Sequence, residues 1–360
     1  MKRIRFALLA LVLLTVAPIV SLAHVKWFAE PWSFADQPTP ISQLITPITI
    51  GLLLFTMFAL ALAVFIDVRL QAITWYTQIM AWFEARKNYA PLVLRIGLGM
   101  TLMLAWQDDK LLSPDLDISR TEIGWLEFVL ALLLIFPRTT PLAGVGVLAL
   151  YGVGILEHGA FYMLDYFIFV GVAIYLIVAN VTNPRVRALR IPALYFSVGF
   201  SLFWVAIEKL VYPQWGLAIL ADREFLTLGL DPLFFLTAAA FVELALGYLF
   251  IIGLLERPMA IVVTLVFFTT SLVFGKVEVI GHTIIHAALI VFLLEGTKNR
   301  LYPAPIAWNE RTTTRMAFSA VNFVIVLVAL SIPYLLMATS AYSNSAGVVF
   351  MPLMRVLWGV

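Results

Sequence analysis

Apolar stretches long enough to cross a bilayer recur along the chain, separated by short polar breaks. They run at about 43–66, 91–107, 121–136, 140–156, 161–180, 192–211, 232–254, 258–274, 281–295 and 316–338. Each is interrupted by Pro, Gly or charged residues where a helix leaves hydrocarbon. The pattern predicts an all-α, polytopic transmembrane bundle of about ten helices. Two segments break the rhythm. Between the first two spans Trp75, Tyr76, Trp82 and Phe83 interleave with Gln78, Glu84, Arg86 and Lys87, which predicts an amphipathic helix lying at the headgroups. Gln214 to Leu230, with Trp215, Leu217, Ile219 and Leu220, reads as a short interfacial helix in a loop.

Composition agrees. Hydrophobic residues make up 62 % of the 360 positions, charged residues 12 %, and the mean hydropathy is +1.00. A water-soluble domain of this size has too little polar surface at that composition, so the lipid bilayer is its solvent. The net charge of +2 provides no basic field for nucleic acid. The absence of cysteine excludes disulfides, Fe–S clusters, thiolate zinc sites and covalently attached haem.

The first residues follow the order of a secretory signal peptide: Lys2, Arg3 and Arg5, an apolar run from Phe6 to Val20, then Ser21-Leu22-Ala23. Cleavage after Ala23 is expected, leaving His24 at a periplasmic terminus; the alternative is an uncleaved first anchor. With that start, the internal loops contain Arg69, Arg86, Lys87, Arg138, Arg185, Arg187, Arg190, Arg257, Lys298, Arg300, Arg311 and Arg315. The outer loops hold fewer basic residues and carry Asp108, Asp109, Asp115, Asp117, Glu157 and Glu278. The positive-inside rule thus favours a multi-pass protein of a bacterial-type inner membrane, with both mature termini periplasmic.

The chain also repeats itself. Asp109-Lys110-Leu111 with Pro114 matches Glu208-Lys209-Leu210 with Pro213; Glu127 and Arg138 are followed in the second copy by Glu243 and Arg257; Glu157 and Asp165, eight apart, correspond to Glu278 and His286. Four spans restore the starting side, so two tandem four-helix units in parallel orientation are expected. The domain reading is a leader at 1–23, a segment at 24–90 with one span and the interfacial helix, four-helix units at 91–190 and 191–300, and 301–360 with a loop, the last span and a periplasmic tail.

On Glu208-Lys209-Leu210, on Phe241-Val242-Glu243-Leu244-Ala245-Leu246-Gly247 with Arg257, and on the helix after Gly281, the second unit resembles the DoxX-like family of four-helix membrane proteins; the first unit matches less well, lacking the Gly after the helix acid. The resemblance implies a link, in some members, to quinone-coupled oxidation of sulfur compounds. It implies no catalytic residue.

An ionised carboxylate near the middle of a span costs about 2–3 kcal/mol or more unless paired or protonated, so Glu243 needs a partner. Lys209 and His286 are the candidates, giving a proton relay or a quinone headgroup site; a packing hydrogen bond is the alternative. His282 and His286 share a helix face, and His24, with its free amine, suits Cu(II). The candidate metal set is therefore His24, His158, His282 and Glu278, against an anchoring role for His24 beside Trp27 and Phe28. A haem between helical histidines fits poorly, because only His286 lies clearly inside the membrane. No Gly-rich phosphate loop, Ser-His-Asp set or acidic metal cage is evident. Three functions follow: a subunit of periplasm-facing, quinone-linked redox chemistry working with other membrane or periplasmic redox proteins; copper binding or handling; and a non-catalytic membrane scaffold.

Overall fold

The computed structural model describes residues 24–29, 31–296 and 311–345. The expected leader at 1–23, Lys298 and Arg300, and the tail after 345 lie outside the described residues. The longer helices, in chain order, are α1 (Pro47–Leu70), α2 (Thr74–Glu84), α3 (Ala90–Gln107), α4 (Thr121–Leu133), α5 (Thr140–His158), α6 (Ile168–Ala179), α7 (Arg190–Val211), α8 (Pro213–Asp222), α9 (Pro232–Ile252), α10 (Glu256–Phe274), α11 (Lys276–Leu294) and α12 (Thr312–Ser345). No strand occurs among the described residues. The protein is an all-α, polytopic bundle, as the apolar spacing predicts.

Among the described residues, eight helices are long and apolar enough to cross a membrane, or nine if one bent pair counts as a span. Two of the expected spans take a different form. Helix α4 has 13 residues, about 20 Å of rise against a hydrocarbon core of about 30 Å, so it does not span alone. It stops because Thr139 Oγ1 donates to the carbonyls of Leu133 and Phe136 in the turn around Pro137. Arg95 of α3 then takes up the carbonyls of Leu134 and Ile135, so the helix end is satisfied without another turn. The expected span 161–180 is broken: Ala160–Tyr166 meets Ile168–Ala179 at 63°. Helix α12 exceeds expectation, running 34 residues through Pro333. Helices α2 and α8 form within the two segments expected to hold short helices; α2 exposes Trp75, Ile79 and Trp82, whereas α8 buries Trp215, Ile219 and Leu220.

The described residues form two compact units. The first lies within 1–66, 202–248 and 308–360, the second within 67–201 and 249–307. This partition cuts across the tandem boundaries at 91–190 and 191–300. In the second unit α3 packs against α11, although the sequence assigns them to different expected repeats: a Cβ on Gly97 would lie 2.1 Å from Ala287 Cβ. Such close backbone approach, with small residues at the contact, is how helices associate in lipid, where hydrophobicity provides no drive between them. Gly97→Ala is therefore expected to cost about 1–3 kcal/mol by overpacking, read as a lower unfolding midpoint in detergent, and Ala287→Gly in the same chain to restore most of it.

Gly275, at φ +72°, turns the chain between α10 and α11 in a backbone region that L side chains rarely adopt. The far end of α11 is capped by Arg257, which donates to the carbonyl of Leu293 at 2.9 Å and pairs with Glu84 of α2 at 2.9 Å. Glu295, just beyond α11, accepts from Tyr175 at 2.9 Å and Arg190 at 2.6 Å. Arg257 thereby satisfies a carbonyl that the helix end leaves open, while Tyr175 and Arg190 hold the Glu295 carboxylate.

In the first unit, Tyr248 of α9 donates to the Ser319 carbonyl of α12 at 2.9 Å, and Phe323 of α12 packs edge-on against Tyr248. The segment 24–39 lies in the same unit and meets the ends of α7 and α8.

Candidate functional site

Glu208 and Lys209 are adjacent near the C-terminal end of α7. Successive helical residues point about 100° apart, so the two charges need different partners. Glu208 meets Lys26 of the N-terminal segment at 2.6 Å, and Lys209 meets Glu243, in the middle of α9, at 2.6 Å. Side-chain exposure is 1 % for both members of the first pair, and 0 % and 7 % for Lys209 and Glu243. Water is thus nearly excluded from both, and the desolvation cost of each charge is offset only while its counter-ion stays in place.

Aromatic residues close over the first pair. The Lys26 ammonium lies 5.3 Å from the Trp32 ring centroid and 4.9 Å from that of Phe34, within cation–π range. Trp32 and Phe34 lie against Trp215 of α8 at 5.6 and 6.0 Å, and Trp215 stacks on Tyr212 at 4.2 Å. Two hydrogen bonds fasten the segment: the Trp215 indole donates to Asp36 at 2.7 Å, and the Thr39 amide donates to the Val211 carbonyl at 2.8 Å. Burial, then the neighbouring charges of Glu208 and Asp36, raise the pKa of the Tyr212 phenol, which keeps it protonated. One turn before Glu208 on α7, Trp204 packs on Tyr334 of α12 at 4.8 Å.

The cluster thus holds two carboxylates and two ammonium groups in a dry, aromatic-rimmed setting. Each pair holds a transferable proton between nitrogen and oxygen, and offers a donor and an acceptor close together.

Of the expected relay residues, Lys209 and Glu243 come together. His286 belongs to the second unit, beside Phe267 and Phe268 of α10 at 6.2 and 5.4 Å, so neither unit by itself assembles the trio. The expected metal ligands have the following local surroundings. His24, in the first unit, stacks on Trp27 at 4.4 Å. His158, at the end of α5, has Nε2 3.0 Å from the Asp117 carbonyl oxygen. Glu278 and His282 touch on α11. Among the described residues no group of three or more His, Asp or Glu side chains is placed to hold a metal ion. Local partners engage two of the expected ligands: an aromatic ring for His24 and a backbone carbonyl for His158.

Sequence reasoning did not find Lys26 and its pairing with Glu208. The signal was present in two adjacent opposite charges at a helix end, which cannot share one partner, and in a Lys set among Trp27, Trp32 and Phe34. The two stretches matched in the sequence also differ in use. Lys110 pairs with Asp117, and Glu127 accepts the Leu112 amide at 2.8 Å, so the first copy has no counterpart of the Lys209–Glu243 pair. No family model, curated protein or solved structure matches the chain.

Proposed function

We propose that this is a DoxX-like protein of a bacterial-type inner membrane whose Lys209–Glu243 pair binds a quinone headgroup and exchanges a proton with it, in redox chemistry facing the periplasm. The single observation that carries the reading is that ion pair, enclosed by protein in an apolar bundle. A quinone presents oxygens that accept hydrogen bonds and, when reduced, hydroxyls that donate them. Lys209 Nζ is the donor, the Glu243 carboxylate the acceptor, and the two lie at 2.6 Å. Bound there, a quinone supplies two-electron, two-proton chemistry.

Lys209 orients the oxygen that accepts its N–H, and Glu243 takes or returns a proton at its carboxyl oxygen. The aromatic residues over Lys26 and Glu208 exclude bulk water from that end of α7. Electrons pass to or from another membrane or periplasmic redox protein, which makes this chain one part of a larger system. Arg86, Lys87, Arg185 and Arg187 support placing their side in the cytoplasm, and the Lys26 segment then faces the periplasm.

The test is lipid extraction of the protein purified in mild detergent, with quinones quantified by mass spectrometry. Near-stoichiometric quinone is expected with the native chain, and about tenfold less with Glu243→Gln, the loss that one charge-assisted hydrogen bond brings. Native protein that carries no quinone, or equal quinone in both samples, overturns the reading; stable co-purifying membrane proteins without quinone would favour a scaffold.

A further inference from the structure

Helix α11 carries Glu278, His282 and His286 at four-residue intervals, which puts all three on one face. Glu278 and His282 are fully buried, and Glu278 Oε2 contacts His282 Nδ1. His282 stacks on Phe267 of α10 at 4.1 Å, and Thr270 of α10 has its hydroxyl 3.4 Å from Glu278. His286 is half-buried and meets Phe268, whose ring is exposed on the outside of the protein together with Leu265 and Leu272. In an apolar span such exposed rings face lipid. At the start of α11 the Lys276 side chain is 69 % exposed and pairs with Asp108 at 2.9 Å.

We propose that Glu278, His282 and His286 form a proton-exchange path along α11, joining its water-exposed Lys276 end to a bilayer-facing edge at His286. The path covers eight residues of rise, about 12 Å of a hydrocarbon core of about 30 Å. Among the described residues, the stretches of α10 and α3 alongside it carry no other titratable group. Helix α10 has none from Pro258 to Phe274, and α3 has none between Arg95, which caps the end of α4, and Asp108. At the opposite end of α11, Arg257 and Glu84 engage one another and the helix carbonyls.

The transfer moves one proton and no electrons. A proton arriving on Glu278 passes from its oxygen to His282 Nδ1 while the proton on Nε2 leaves toward His286, so the imidazole is neutral before and after. The step to His286, one turn on with about 6 Å of rise, uses a bridging water or a ring rotation. A carboxylate and two imidazoles in series are side chains that can each accept a proton and release it. The compound class that such an edge serves is a lipid-soluble weak acid, whose acidic proton is carried in the hydrocarbon. The inference concerns the second unit and stands independently of the quinone reading.

The experiment is ¹⁵N NMR of the histidine-labelled full chain in lipid nanodiscs, with His286 assigned through His286→Gln. Transfer into D2O is expected to exchange the His286 ring N–H readily. Glu278→Gln and His282→Phe are each expected to slow it by on the order of tenfold or more, the size of a lost relay step, with the melting profile of Glu278→Gln unaltered. Exchange at His286 that is unchanged in Glu278→Gln overturns the path, and this near-isosteric variant decides the matter if His282→Phe does not fold. Lauric acid added to the nanodiscs is expected to move the His286 signal and leave that of His158 in place; an unmoved His286 signal overturns the bilayer-facing end.

Discussion

Glu243→Leu is expected to destabilise the protein by about 3–5 kcal/mol, and Lys209→Met added to the same chain to recover most of that loss. The asymmetry follows from where the charges sit. Lys209 has no exposed side-chain surface and its ammonium lies 2.6 Å from Glu243. Without the carboxylate, the ammonium keeps its desolvation cost and loses its counter-ion. Replacing both partners removes both costs, because a Leu and a Met of similar volume fill the space with apolar contacts. Denaturant unfolding of the three variants in detergent reads the effect. Equal losses in the single and double variants would show that the pair contributes shape alone. If the double variant is as stable as the native chain yet retains no quinone, the pair is kept for binding rather than for holding the bundle together.

Lys26→Met is expected to release the segment 24–39 from the ends of α7 and α8. Glu208, with 1 % of its side chain exposed, then lacks its ammonium partner, and the cation–π contacts with Trp32 and Phe34 go with it. A penalty of about 3 kcal/mol corresponds to roughly a hundredfold shift toward the detached segment. Hydrogen exchange at the Thr39 amide, which donates to Val211 at 2.8 Å, reads that shift directly, and Trp215 fluorescence reads the loss of its Asp36 bond and its neighbours Trp32 and Phe34. Lys26→Arg keeps a cation that can sit over the rings and pair with Glu208, and is expected to retain most of the protection. Native-like exchange in Lys26→Met would mean that the Asp36–Trp215 and Thr39–Val211 bonds hold the segment unaided.

Individual residues mark how far the chain could be read. Glu243 stood out as the one charged residue of its span, and the need for a partner led to Lys209, near the outer end of the preceding helix. The same reasoning nominated His286, since depth along a span can be judged from residue number while lateral position in the bundle cannot. His286 instead continues a line on its own helix with Glu278 and His282, a spacing visible in the sequence once the metal reading of those residues is set aside. His24 drew attention as a terminal chelator, and the structure uses its ring in a stack on Trp27.

The helical class, the bilayer as solvent, the presence of the helices α2 and α8 and the need of Glu243 for a partner were all determined by the sequence alone. Each depends on period, length or local composition, and a residue carries those with it whatever its distant neighbours are. The break at Phe167, the early end of α4, the pairing of Lys26 with Glu208, and the packing of α3 against α11 across the apparent repeat were decided only by the tertiary structure. In lipid, one greasy helix face resembles another, so periodicity does not say which helices become neighbours. That choice rests on close fits such as Gly97 on Ala287 and on whether each buried charge finds its counter-ion, and both exist only once distant parts of the chain have come together.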